Sequence, residues 1–175
     1  MMERAKNSEQ QAFLTFLYLT GSRVSEALLL RYRDFVRVES TKIGKIPIVA
    51  IPVLKRRDEF EFREIPLWLD KEEGKLGRPL VKWVNAKYDL LEPDLENADE
   101  MRIWKHTRTW AFDICKQVTG KSPHYWRHHR AQYLATVKGF NEYMLTSYFN
   151  WANPQTSYIY TKGKNPRQFL REYLI

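Results

Sequence analysis

Between Ile46 and Leu67 the chain changes its period, and that interruption limits the architectures open to it. Ile46 to Leu54 is dense in Ile and Val, and Phe60 to Leu67 alternates apolar and charged residues (Phe60, Glu61, Phe62, Arg63), the pattern of strands. Lys55-Arg56-Arg57-Asp58 between them reads as a charged hairpin tip. Pro47 and Pro52 lack an N–H and predict an edge strand or irregular pairing. On either side, apolar residues recur at helical spacing. Ser8 is placed to cap a helix running to about Leu19, with Phe13, Leu14, Phe16, Leu17 and Leu19 on a broad buried face. Thr20-Gly21-Ser22 breaks it, and a short helix is predicted over Val24 to Leu30. After the strands come a polar loop, Asp70 to Gly77, a helix over Leu80 to Leu91, and an acidic loop, Glu92 to Glu100. A helix over Met101 to Val118 is ended by Gly120, a residue suited to a left-handed cap. Further helices are predicted from Pro123 to about Val137, from Phe140 to Phe149, from Pro154 onward, and over Pro166 to Leu174. The fold class is therefore mainly α with a small antiparallel β-sheet inserted early, an α+β arrangement.

Charge narrows the partners. There are 29 Lys and Arg against 21 Asp and Glu, a net charge of +8. The resulting pI of about 9.5 favours a polyanion, usually nucleic acid. The 175 residues suffice for one domain, or one with a small appendage, and for a real core. Cys115 is the single cysteine and sits in an apolar helical pattern, which excludes a disulfide framework and points to a reducing compartment. The polar N-terminus carries no signal peptide, and no apolar run approaches a membrane span. A soluble, cytoplasmic protein is expected. The chain carries no Gly-rich phosphate loop, metal-ligand cluster or Ser-centred nucleophile elbow.

Two places carry candidate chemistry. In Pro123-His124-Tyr125-Trp126-Arg127-His128-His129-Arg130, Pro123 suits the first turn of a helix, and His124 and Arg127 then share a face. An imidazole beside a planar, permanent cation suits a phosphate that must be held while a proton moves near it. His124 and His128 also have the spacing of a zinc pair. The absence of a Glu beside them, the lack of a nearby acidic third ligand, and Arg127 and Arg130 all argue against that use. The second place is Arg23, following the Gly21 turn. A part-buried guanidinium needs an anion, and Glu26, three residues on, is its obvious neighbour.

Taken in order, Thr20-Gly21-Ser22-Arg23-Val24-Ser25-Glu26, Leu28-Leu29-Leu30-Arg31-Tyr32-Arg33-Asp34, Lys55 at a hairpin, His124-x-x-Arg127, Trp151 and Tyr160 resemble the catalytic domain of the tyrosine recombinases, or phage integrases. Trp151 takes a position that is usually His, Asn150 one that is usually Gly, and Tyr160 keeps the family's interval of nine residues after Trp151. The resemblance covers the chain from about Glu9 to Tyr160. It implies DNA strand cleavage with neither metal nor nucleotide cofactor: Tyr160 attacks a phosphodiester, leaving a 3′-phosphotyrosyl link and a free 5′-hydroxyl. In that scheme Arg23 and Arg127 clamp the phosphate, His124 assists proton transfer, Lys55 protonates the leaving oxygen, Trp151 supports the Tyr160 segment, and Glu26 orients Arg23. Arg56, Arg57, Lys121, Arg130 and Lys162 are expected to contact double-stranded DNA.

The resemblance also implies one catalytic domain over residues 1–175. Its tail helix, 165–175, would be exchanged between protomers of a tetramer on DNA. Only 22 residues precede Arg23, so the N-terminal domain that completes the DNA clamp in such recombinases is expected to be absent. Two other functions share these residues: relaxation of the type IB topoisomerase kind, and DNA binding without catalysis. Tyr158 competes with Tyr160 as nucleophile, but on one helix the two point roughly 200° apart.

Overall fold

The computed structural model describes residues 5–35, 37–42, 44–54, 61–91 and 97–162. These fall into two compact units, one up to Arg130 and one from Ala131. Lys55, Arg56, Arg57, the acidic run 92–96 and the tail helix expected over 165–175 lie outside the described residues. Among the described residues no helix is long and apolar enough to cross a membrane.

The first unit opens with α1, Ser8–Thr20. Its cap is Asn7 rather than Ser8: Asn7 is extended and its side chain accepts the Gln10 N–H at 2.9 Å. Phe13, Phe16, Leu17 and Leu19 are wholly buried. Gly21, at φ 59°, ends the helix as its N–H bonds back to the Leu17 carbonyl. α2 spans only Val24–Ala27; the Leu29 and Leu30 amides then reach back three residues, tightening the chain out of the helix predicted to Leu30.

A three-stranded antiparallel sheet follows, in the order β1 (Arg37–Thr41), β2 (Gly44–Val53), β3 (Glu61–Pro66). The strand carrying both prolines is central and not an edge, and the register explains how. The Pro47 carbonyl accepts the Leu67 N–H, so the missing Pro47 N–H faces the end of β3. Pro52 has the opposite parity and faces the side of β2 beyond Arg37↔Ile48, where pairing with β1 has stopped. Alternation in β3 does not follow its apolar residues: Arg63 and Ile65 are buried, whereas Phe62 is exposed.

α3 runs over Lys71–Asp89 and absorbs the stretch expected to be a polar loop. Asp70 caps it through the Glu73 N–H at 2.7 Å. Its two glycines face Trp68, and a Cβ at Gly77 would sit 2.2 Å from the indole ring. The helix expected from Met101 begins at Arg108 as α4, Arg108–Thr119, with Thr107 as its cap. Upstream, Arg102 bridges to Arg31 in extended backbone, and Trp104 is buried edge-on to Phe13 at 5.3 Å. Gly120, at φ 71°, closes α4 as predicted.

α5 covers Pro123–Thr136. In the second unit, α6 (Glu142–Phe149) is capped by Asn141 and α7 spans Gln155–Thr161. Thr146 and Ser157 exchange a 3.0 Å hydroxyl hydrogen bond, and the Thr161 hydroxyl donates to Glu142 at 2.9 Å, tying α7 to α6.

Candidate active site

Glu26 organises the charged cluster of the first unit. It is 1% exposed, a position a carboxylate holds only when paired. One oxygen accepts the backbone N–H of Arg23 at 2.9 Å, the reciprocal arm of a capping box at the start of α2. The other takes the Arg23 guanidinium at 2.7 Å. Arg127 and Arg63 lie within 3.9 and 3.7 Å of the same carboxylate. Arg127 is buried and also donates to the Gly21 carbonyl at 2.9 Å, so the turn after α1 and the first turns of α5 are fastened together. Arg23 keeps 42% of its side chain exposed. One guanidinium is thus locked from inside while the other remains open to an incoming anion.

His124 belongs to this cluster. Its pKa is lowered from 6.5, first by burial and then by the charges of His128, Arg127 and Arg23. Its imidazole is therefore neutral at pH 7 and able to accept a proton. The His124 and His128 Nε2 atoms are 2.9 Å apart.

In the second unit Asn150 adopts φ 48°, ending α6 in the left-handed region. Glycine enters that region without a Cβ penalty, and Asn is the side chain that best replaces it. Beyond this turn Trp151 is stacked between Phe149, at 4.7 Å, and Tyr160, at 5.6 Å and 11° between planes. Trp151 thus fixes the plane of the Tyr160 ring. Tyr158 is 45% exposed, with the Lys162 ammonium 5.1 Å from its ring.

Of the residues expected on DNA, Lys121 and Lys162 are exposed. Arg130 is not: it is 2% exposed and forms a two-pronged ion pair with Glu73, at 2.5 and 3.3 Å. The expectation that Arg130 contacts DNA is corrected by this burial; its charge is consumed in joining α5 to α3. Sequence reading missed Arg63, Glu73 and His128. Only His128 left a usable signal, its helical spacing from His124, and that was weighed as a metal motif. A cavity of about 500 Å³ lined by Tyr18, Leu76, Tyr125, Trp126 and His129 lies elsewhere, and none of Arg23, Glu26, His124 or Arg127 lines it.

No protein-family model and no curated protein sequence matches the chain. Solved structures do. The XerH site-specific recombinase bound to its difH substrate in a pre-cleavage complex aligns with a TM-score of 0.66 at 16% identity, over 95% of this chain and 48% of that one. The XerA recombinase aligns at 0.58 and 23% identity, over 98% and 59%. The Tn1549 transposon integrase in complex with transposon right-end DNA aligns at 0.53 and 15%, over 94% and 58%. The chain thus spans about half the length of XerH and under two thirds of the other two. It has the fold of the tyrosine recombinase catalytic domain, as the ordered motifs implied.

Proposed function

We propose that the chain breaks and rejoins DNA strands through a 3′-phosphotyrosyl intermediate, as a site-specific recombinase or integrase. The observation that carries this reading is the convergence of Arg23 and Arg127 on one buried carboxylate beside His124, whose pKa burial and the neighbouring charges lower. Glu26 holds both guanidiniums, and Arg23 keeps 42% of its side chain exposed.

The chemistry follows from charge. As Tyr160 attacks, negative charge gathers on the non-bridging oxygens of a five-coordinate phosphorus. Arg23 and Arg127 meet that charge with donors that stay protonated at any working pH. A tyrosine hydroxyl has an ordinary pKa near 10, so its proton must leave during attack. His124 accepts it. Lys55 protonates the departing 5′-oxygen, and Trp151 keeps the phenol ring in plane. The phosphotyrosyl bond conserves the energy of the broken linkage, so a 5′-hydroxyl on another strand reverses the step without a nucleotide. XerH, XerA and the Tn1549 integrase are recombinases of this fold, two of them solved with DNA. By the same reading the chain engages double-stranded DNA in an assembly of several copies.

A duplex nicked next to the cleavage position traps the intermediate. Wild-type protein is expected to form a covalent adduct, and Tyr160→Phe to bind the duplex equally but form none. Binding without any adduct by the wild type would leave only a DNA-binding role.

A further inference from the structure

His128 lies one helical turn beyond His124, with the rings edge to face at 89°. Their Nε2 atoms, 2.9 Å apart, touch only if one carries a proton and the other a lone pair. Both residues are exposed. The groups acting electrostatically on His124 are His128 and Arg127 from α5 and Arg23 from the cap of α2. A proton left on His124 would add a third cation to the two guanidiniums.

We infer that His128 is the outlet of a two-imidazole relay that carries the Tyr160 proton to solvent. The inference rests on the reading of His124 as the base for Tyr160. In the free state His124 holds its proton on Nε2, donated to His128 Nε2, and His128 holds its own on Nδ1. As the phenol oxygen bonds to phosphorus, its O–H breaks and the proton goes to His124 Nδ1. The Nε2 proton of His124 passes to His128 Nε2, and the Nδ1 proton of His128 leaves to water. Both rings end neutral with their tautomers exchanged, and the hydrogen bond between them runs the other way. Rejoining returns the proton along the same path and restores the first pair of tautomers. At no stage does an imidazolium persist beside Arg23 and Arg127.

Single-turnover adduct formation on a nicked duplex tests the relay with His128→Ala and His128→Gln. The glutamine can still hydrogen-bond His124 but cannot pass a proton. Both variants are expected to bind DNA as the wild type does. Both should cleave about ten-fold more slowly, less than the 10²- to 10⁴-fold of a lost direct base. Added imidazole should restore His128→Ala in proportion to its unprotonated concentration. Wild-type rates in His128→Gln, or a slowed His128→Ala that imidazole does not rescue, would overturn the relay. His124→Ala separates the two readings: if it cleaves at the wild-type rate, the assignment of His124 as base has failed. If it is slow while His128→Gln is not, only the relay has.

Discussion

At the scale of single residues, His124 gives the sharpest expectation. Burial, then the neighbouring charges, lower its pKa below 6.5. The unfolded chain takes up this proton near 6.5 and the folded chain only at lower pH. This group's contribution to stability is therefore intact above 6.5 and is lost as pH falls through the folded-state value. The same displacement governs catalysis: adduct formation should persist below pH 6.5 and fail only in more acid solution. A pH–rate profile with its acid limb at or above 6.5 would contradict the assignment. The Arg23–Glu26 pair and His-x-x-Arg were legible because their partners sit within one helical turn. Arg63 was not, because nothing in a strand of mixed residues states which face is inward. Only the packed sheet reveals that β3 turns a guanidinium toward Glu26 and leaves Phe62 outside.

Among the elements, the errors in the sequence reading share a cause, since tertiary contacts overrode local pattern. Gly74, Gly77 and Pro79 disguised the first half of α3 as a loop; Pro79 lies inside the helix, and the glycines make room for Trp68. β1 was invisible because it buries no apolar row; Val38 is 53% exposed. The apolar residues of 101–107 mimicked a helix because Trp104 is buried, but backbone pairing with Arg31 holds them extended. Gly77 supplies a direct check. Gly77→Ala would raise helix propensity by about 1 kcal/mol on an open surface. Here its methyl would meet the Trp68 ring at 2.2 Å. The expected net result is a loss of about 1–3 kcal/mol, read as a lower Tm. A raised Tm would show that Trp68 is free to move aside.

For the whole molecule, the +8 charge predicts DNA affinity that falls steeply with salt. Position decides which cations contribute. Lys121→Ala and Lys162→Ala should each reduce the salt slope of binding by about one while leaving Tm nearly unchanged. Arg130→Met should do the reverse. Its slope is expected to stay that of the wild type, while the Glu73 carboxylate, buried and unpaired, costs about 3–5 kcal/mol. Loss of slope in Arg130→Met without loss of Tm would restore Arg130 to the DNA surface. The fold class, an α-rich chain with an early antiparallel sheet, could be read from the change of period. The course of β2 and the burial of Arg130 could not, because both depend on partners far away in sequence.

The most direct measurement is the identity of the atom that holds the DNA. The adduct trapped on a nicked duplex, digested with nuclease and trypsin, yields a peptide running from Gly139 to Lys162 with nucleotide attached. The account predicts a 3′-phosphate ester on Tyr160 and a free 5′-hydroxyl on the other fragment. Attachment at Tyr158, or through a 5′-phosphate, would contradict it.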